Sequence, residues 1–317
     1  MKVECLVSTS VSLGRTVVMS VLLAILDFGA SQLAAQEPCI APVRSSSRAS
    51  SSATQPPPCP VPPGPHPWPA GVSHAVDLAA NVGLGALTAG VRAGLAGRPF
   101  WPAFKHGAVG GGVTYAGKRI IGTQQPALGI VGREVTAVGT SLIRNAAGGR
   151  AAFASLVLPV GPLRVYVGEP HVRLKLDFAG SIGVLYTASH PGAHLDVRAS
   201  LLAGAPVIVY SYTGGPIHIA ESNAGTIGVV DYLGTDGRRR AIAHELIHVV
   251  QYDFTFLVWG EPVEDAILPH LPAGTTVRRY VDLGANMAIL GLAYWAVPYD
   301  QSPWEHEAEL MTDRPWP

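Results

Sequence analysis

The sequence predicts an α+β protein with a helical N-terminal half, an antiparallel β-sheet and a C-terminal pair of helices. Three observations carry this prediction. Residues 74–149 are apolar and rich in small side chains, residues 163–232 contain short alternating segments, and apolar residues recur at helical spacing after residue 240. We therefore expect one folded body over 71–317, divided into a helical part (71–150), a sheet (151–233) and a helical C-terminal part (234–317).

The composition is that of a globular protein without an affinity for nucleic acid. Of the 317 residues, 48% are hydrophobic and 14% are charged, and 22 basic residues balance 22 acidic ones. A net charge near zero gives no attraction for a phosphate backbone. All three cysteines (Cys5, Cys39 and Cys59) precede the expected body, which excludes a thiol nucleophile or a disulfide scaffold within it.

The first 70 residues predict export followed by a linker. Lys2 and Arg15 precede an apolar run over 17–26, and Ala34-Ala35 fits a cleavage site, so residues 1–35 are interpreted as a signal peptide. An uncleaved anchor is the alternative. Residues 36–70 are rich in serine and proline and predict a disordered linker. The body is therefore expected to be secreted or to lie at the cell envelope, in the periplasm or on the surface.

The helical part is expected to contain closely packed helices. Gly90-x-x-x-Gly94 and Gly107-x-x-x-Gly111 provide faces on which two helix backbones can approach each other. We predict packed soluble helices here, with membrane association of 74–120 as an open alternative. Residues 128–145 follow as an ordinary helix with one buried face.

The sheet is predicted from changes in hydrophobic period. Residues 171–178 alternate charged and apolar side chains, which is typical of a strand with one face on a core. The other predicted strands of an antiparallel meander are 163–167, 182–187, 194–199, 207–212, 217–220 and 227–232. Farther along the chain we expect a loop over 261–272 and a buried helix over 281–296.

A metal site is predicted where the chain returns to helical spacing after the sheet. His244, Glu245 and His248 form the pattern His-Glu-x-x-His, and the two histidines lie one helical turn apart on the same face. Two imidazoles can then bind one Zn²⁺ ion, while the carboxylate of Glu245 lies beside them. A catalytic zinc ion takes three protein ligands and a water molecule, so the chain must supply a third ligand.

A later predicted helix offers this ligand. Ser302 and Pro303 are typical of its N-cap and first position, and Glu305 to Glu309 follow. Here the sequence resembles the gluzincin-type zinc metallopeptidases, and the local pattern is similar to the Glu-x-x-Ala helix of ImmA/IrrE-like bacterial zincins. The resemblance implies that Glu305 is the third ligand. It also implies that Glu309 orients a ligand histidine without itself binding the metal.

Three alternatives remain at this stage. Ser302 and Glu305 also match a capping box, in which Glu305 binds only a backbone amide. Glu307, immediately before the alanine, is the alternative ligand. The sequence Asp282-Leu283-Gly284 also resembles a ligand motif of intramembrane metallopeptidases.

The resemblance implies zinc-dependent hydrolysis of a peptide or protein substrate. In that reaction Glu245 acts as the general base toward a zinc-bound water, and the strand of residues 225–232 lies at the sheet edge and binds the substrate backbone. The competing interpretation is a non-enzymatic secreted or envelope protein in which zinc only joins two helices. Such a site needs a fourth protein ligand, for which His306 and Asp253 are the candidates.

The group that steadies an oxyanion cannot be selected from the sequence. Five residues are candidates for this role: Tyr252, His270, Arg278, Tyr280 and Tyr299.

Overall fold

The computed structural model describes residues 74–168, 171–211, 220–287, 290, 297 and 302–312. It shows a mixed α and β architecture, as the α+β prediction requires. The predicted signal peptide and linker lie outside the described residues. The division of the remaining chain into one body stays a prediction.

Three long helices open the described part of the chain. They are α1 (His74–Leu95), α2 (Phe100–Gly122) and α3 (Pro126–Ala147). Glycines allow the helix backbones to touch, because a Cβ atom on Gly85 would lie 2.5 Å from the carbonyl oxygen of Gly107 and one on Gly132 would lie 2.7 Å from that of Gly117. The prediction of closely packed helices is confirmed. Glycine is the residue that this packing requires, because it has no Cβ atom.

Two four-stranded sheets follow, and neither is a simple meander. Sheet A has the order β1-β2-β3-β8, and sheet B has the order β4-β5-β7-β6. The strands of sheet A are β1 (Leu156–Val160), β2 (Leu163–Val167), β3 (Arg173–Asp177) and β8 (Val281–Asp282). The strands of sheet B are β4 (His194–Leu195), β5 (Val207–Tyr210), β6 (Ala220–Asn223) and β7 (Thr226–Val230). The all-antiparallel prediction is wrong, because β3 pairs with β8 and β5 pairs with β7 in parallel.

One predicted strand is a helix instead, and a second is a strand only in its first two residues. Residues 182–187 belong to α4 (Phe178–Ala188). Of residues 194–199, His194 and Leu195 form β4, and residues 197–199 belong to α5 (Val197–Ala203). Each helix begins at an aspartate N-cap: the side chain of Asp177 accepts the Gly180 N–H, and that of Asp196 accepts the Ala199 N–H. These caps stabilise the first turn and override the apolar, β-branched composition of the segments.

From residue 235 onward the described elements are helical apart from β8. Helix α6 (Thr235–Thr255) continues through a π-helical segment (Phe256–Gly260) into α7 (Glu261–Ile267). A 3₁₀ turn (Leu268–His270), α8 (Gly274–Tyr280) and α9 (Pro303–Met311) complete the described elements. The loop predicted over 261–272 is wrong, as is a helix beginning at 281, where β8 lies; residues 288–289 and 291–296 of that prediction are outside the described residues.

Helix α6 forms the centre of the main core. Its buried apolar side chains pack against β5, β7, α9 and the end of α2, and they include Ala241, Leu246, Ile247, Val249 and Val250. A Cβ atom on Gly122 would overlap the carbonyl oxygen of Met311, so the end of α2 lies directly against α9. This packing fixes α9 beside α6, and these are the two helices that carry the predicted metal ligands.

Candidate metal centre

His244, His248 and Glu305 meet at one point between α6 and α9. The Nε2 atoms of the two histidines are 3.2 Å apart, and the Oε2 atom of Glu305 lies 3.4 Å from His244 Nε2 and 3.3 Å from His248 Nε2. All three side chains are buried. Among the described residues this is a group of three ligand types that could hold a metal ion.

The spacing of these atoms fits a tetrahedral metal. Three ligands bound at about 2.0–2.1 Å to one tetrahedral Zn²⁺ ion lie about 3.3–3.4 Å from one another. The distances of 3.2–3.4 Å observed between the three ligand atoms match this requirement. Small rearrangements alone would therefore suffice for all three to bind one ion.

The three side chains of the group shift one another's pKa values. Burial opposes protonation of His248, but the hydrogen bond and charge of Glu305, with Glu245 and Gln251, raise the pKa of His248 to about 9. Burial dominates at His244 and lowers its pKa. Burial also acts to raise the pKa of Glu305, but hydrogen bonds from the two histidines hold it well below its usual range. Because a metal binds the neutral imidazole, metal binding at this site would be coupled to release of the proton from His248.

Glu245 lies beside the ligands on α6 and is not one of them. Burial raises the pKa of Glu245 to about 7; His248 counteracts this shift, and Glu305 adds to it. Ser222 of β6 forms a hydrogen bond with the Glu245 side chain. A carboxylate whose pKa lies near neutrality is suited to accept and return a proton at neutral pH.

Gln251 fixes the orientation of His248. The Oε1 atom of Gln251 lies 2.9 Å from His248 Nδ1 and accepts its proton, which leaves Nε2 free to bind a metal. Sequence reasoning did not assign this role to Gln251. The available signal was its position three residues after His248, on the same face of the helix.

Glu307 is not part of the ligand group and supports it through hydrogen bonds. Its Oε2 atom accepts a hydrogen bond from Gln251 Nε2 at 2.8 Å, and the same carboxylate pairs with Lys118 Nζ of α2 at 2.6 Å. The side chain of Asn81 in α1 donates a third bond at 2.7 Å. Burial acts to raise the pKa of Glu307, but the charge of Lys118 keeps it lowered. A continuous chain of hydrogen bonds therefore joins His248 to the N-terminal helices.

The other predicted site residues have different surroundings. Ser302 is the N-cap of α9, and Pro303 occupies the first turn, as predicted, but Ser302 makes no side-chain capping bond among the described residues. The capping-box role for Glu305 therefore has no support. Glu309 lies 3.9 Å from His306, and its predicted action on a ligand histidine stays a prediction.

Neither candidate for a fourth ligand joins the group. Asp253 forms ion pairs with Arg133 at 3.0 Å and with Arg164 at 3.7 Å. His306 faces Glu309. Within the described part of the chain the ligand group therefore has three members. Asp282, which the intramembrane motif would require as a ligand, pairs instead with Lys175 at 2.8 Å.

The candidate oxyanion donors do not converge on this centre. Tyr252 donates a hydrogen bond to Asp177, and Arg278 pairs with Asp265. His270 and Tyr280 are exposed, and Tyr299 lies outside the described residues.

The predicted substrate strand is a central strand. Strand β7, which covers most of residues 225–232, lies between β5 and β6, so the prediction that it forms an edge is wrong. The edge next to it is β6, joined to β7 by a hairpin with positive φ at Ala224 and Gly225. Because Ser222 of β6 contacts Glu245, the edge strand passes beside the general-base candidate.

Comparison of the chain with protein-family models, curated proteins and solved structures finds no match.

Proposed function

We propose that the protein is a secreted or cell-envelope zinc metallopeptidase. The observation that carries this proposal is the triangle of His244, His248 and Glu305, with Glu245 adjacent on the same helix. Two imidazoles and one carboxylate, with no fourth protein ligand among the described residues, match a catalytic zinc site better than a structural one. A structural zinc that only joins α6 and α9 is the second candidate.

Each residue of the centre has its own role in the proposed reaction. His244, His248 and Glu305 hold the ion, which would supply a Lewis acid that polarises the scissile carbonyl and acidifies water. Glu245 takes a proton from the attacking water and returns it to the nitrogen of the departing amine. Gln251 holds His248 in the tautomer that presents Nε2.

The position of β6 supports an extended peptide as the substrate. In the described part of the chain no strand pairs with the outer side of β6, and its Ser222 reaches Glu245. An extended chain that adds to this edge by main-chain hydrogen bonds would run past the general base. We therefore propose peptides or proteins as substrates.

The decisive experiment compares Glu245→Gln with the wild type. The amide has nearly the same shape but cannot take a proton, so this variant should keep about one zinc per chain and lose about 10²–10⁴-fold in hydrolysis of a peptide library. Elemental analysis measures the metal, and mass spectrometry measures the cleavage. His244→Ala should lose the metal and the activity together.

Glu134→Gln is the matched control, because Glu134 is a half-buried carboxylate on α3, distant in sequence from the ligand group. This variant should retain both zinc and turnover. Zinc in the wild type without any cleavage would favour the structural zinc, whereas a metal-free wild-type protein would remove both candidates.

A further inference from the structure

The outward face of α1 is apolar along its whole length. Val76, Leu84, Leu87, Val91 and Leu95 are 41–82% exposed and fall within about 100° of arc around the helix. Every other exposed position of α1 is a leucine, an alanine or a glycine. We call the five named side chains the α1 strip. A contiguous apolar strip of this kind marks an interaction surface.

The polar side chains of α1 face the protein interior. Asn81 and Thr88 are 8% and 3% exposed, and Asn81 donates a hydrogen bond to Glu307. Asp77 and Arg92 are only half-exposed. A helix on the surface of a soluble domain has the opposite arrangement, with its polar side outward. Apolar side chains outside and polar side chains inside are typical of a helix that faces lipid.

The C-terminal end of the strip carries an aromatic and basic cluster. Phe100 packs on Gly90 of α1, and Trp101, which is 66% exposed, lies edge-on to Phe100 at 5.2 Å. Arg98 and Lys105 are the exposed charged residues between positions 74 and 131. Tryptophan with lysine and arginine is the combination found at the headgroup level of membranes, where anionic lipids attract the cations.

The dimensions of α1 also suit a bilayer. Its 22 residues make a rod of about 33 Å, close to the hydrocarbon thickness of about 30 Å. Among the described helices α1 is the one long and apolar enough to cross a membrane. However, 39% of its apolar stretch is buried inside the protein. Only its outer side is therefore available to lipid.

We propose that the α1 strip lies against the acyl chains of an anionic lipid bilayer, with Trp101, Arg98 and Lys105 at the headgroups. The charges favour lipid over a second copy of the chain, because residues 74–131 present no exposed carboxylate to meet Arg98 and Lys105. This inference is independent of the metal centre.

A site-specific fluorescent probe tests the proposal on the full chain. The three cysteines are replaced by serine, and an environment-sensitive fluorophore is attached at Leu87→Cys in the strip. The matched control carries it at Val172→Cys, which is 66% exposed beside sheet A. With phosphatidylcholine–phosphatidylglycerol vesicles, emission from position 87 should move to shorter wavelength while emission from position 172 stays unchanged. Attachment through residues 17–26 alone would leave both positions unchanged.

Two charge variants complete the test. Leu84→Glu/Leu87→Glu in the unlabelled chain should weaken vesicle binding at least tenfold, and Arg98→Glu/Lys105→Glu should remove the preference for the anionic lipid. The proposal is overturned if position 87 keeps its emission in vesicle-bound protein. It is equally overturned if the emission shifts without vesicles, since this would mean that protein covers the strip; dependence on concentration would then identify a second copy.

Discussion

Two glutamates two residues apart in α9 have separate tasks. Glu305 points its Oε2 atom at both histidines, whereas Glu307 pairs with Lys118 and accepts a hydrogen bond from Gln251. Positions two apart on a helix differ in direction by about 200°, so one regular helix cannot aim both at the same point. The geometry thus assigns Glu305 to the ligand group and Glu307 to its support.

This division predicts different losses for the two alanine variants. Glu305→Ala should abolish stoichiometric zinc binding, because two imidazoles hold zinc far more weakly than a complete set. Glu307→Ala should bind zinc about 10–100-fold more weakly, since His248 loses the support of Gln251. Competition titration with a chromophoric chelator measures both affinities.

The double variant Lys118→Met/Glu307→Gln checks whether the loss of zinc affinity in Glu307→Ala comes from a loss of stability. It removes both members of the buried ion pair, whereas Glu307→Ala leaves the charge of Lys118 without its partner. A zinc-replete Glu305→Ala protein would refute the ligand assignment.

The sequence predicts the three side chains that meet between α6 and α9 better than it predicts the side chains that support them. The His-Glu-x-x-His pattern and the capped helix after Ser302 are local signals, and they point to the residues that meet in the structure. Lys118 precedes Glu307 by 189 positions, and no local pattern connects them. Their pairing follows from the packing of α2 against α9, which only the assembled fold defines.

At the scale of elements, glycine sets how closely the N-terminal helices approach. A Cβ atom on Gly111 of α2 would overlap the carbonyl oxygen of Asn81 and lie 2.9 Å from Val82 Cα in α1. A Cβ atom on the neighbouring Gly112 would lie 3.8 Å from Val82 Cγ2, an ordinary van der Waals contact. These adjacent residues differ in surroundings but share the same helix.

We expect opposite effects from alanine at these two positions. Gly111→Ala should destabilise the protein by about 1–3 kcal/mol, because the two helices must separate. Gly112→Ala should stabilise it by about 0.5–1 kcal/mol, because alanine favours a helix more than glycine does. Urea denaturation of both variants gives the free energies of unfolding. Equal effects would show that α1 and α2 do not touch at Gly111.

The sequence predicts long helices better than short elements. The helix expected over 128–145 lies within α3, and residues 163–167 form β2 as predicted. In contrast, the strand prediction is wrong for residues 182–187 in α4 and for residues 197–199 in α5, because short apolar segments are similar in composition to strands. Asp177 and Asp196 were the signals that pointed to helices, since each accepts a backbone N–H in the first turn.

At the scale of the whole molecule, a buried ionic cluster joins sheet A to helix α6. Arg164 of β2 contacts Asp177 at 2.6 Å, Asp282 at 3.4 Å and Asp253 of α6 at 3.7 Å. Lys175 adds a second cation, 2.8 Å from Asp282. Because the guanidinium of Arg164 is almost completely buried, its loss would leave carboxylates without compensation.

Arg164→Met should therefore destabilise the protein by about 3–5 kcal/mol. Arg278→Met is the matched control, because the Arg278–Asp265 pair is exposed and should contribute only about 0–1 kcal/mol. Thermal unfolding followed by circular dichroism compares the two variants. A loss at Arg164 no greater than that at Arg278 would mean that this cluster does not hold sheet A to α6.

The π-helical segment at Phe256–Gly260 has a consequence for the direction of the side chains that follow it. A π-turn holds one residue more than a turn of α-helix, so the segment is equivalent to a single-residue insertion between α6 and α7. If the same residues continued as a regular α-helix, Glu261 would rotate by about 100° relative to His248. Glu261 would then turn away from Arg144, which it now meets at 2.5 Å. The helical register on the two sides of the segment therefore serves two partners that one uninterrupted α-helix could not satisfy together.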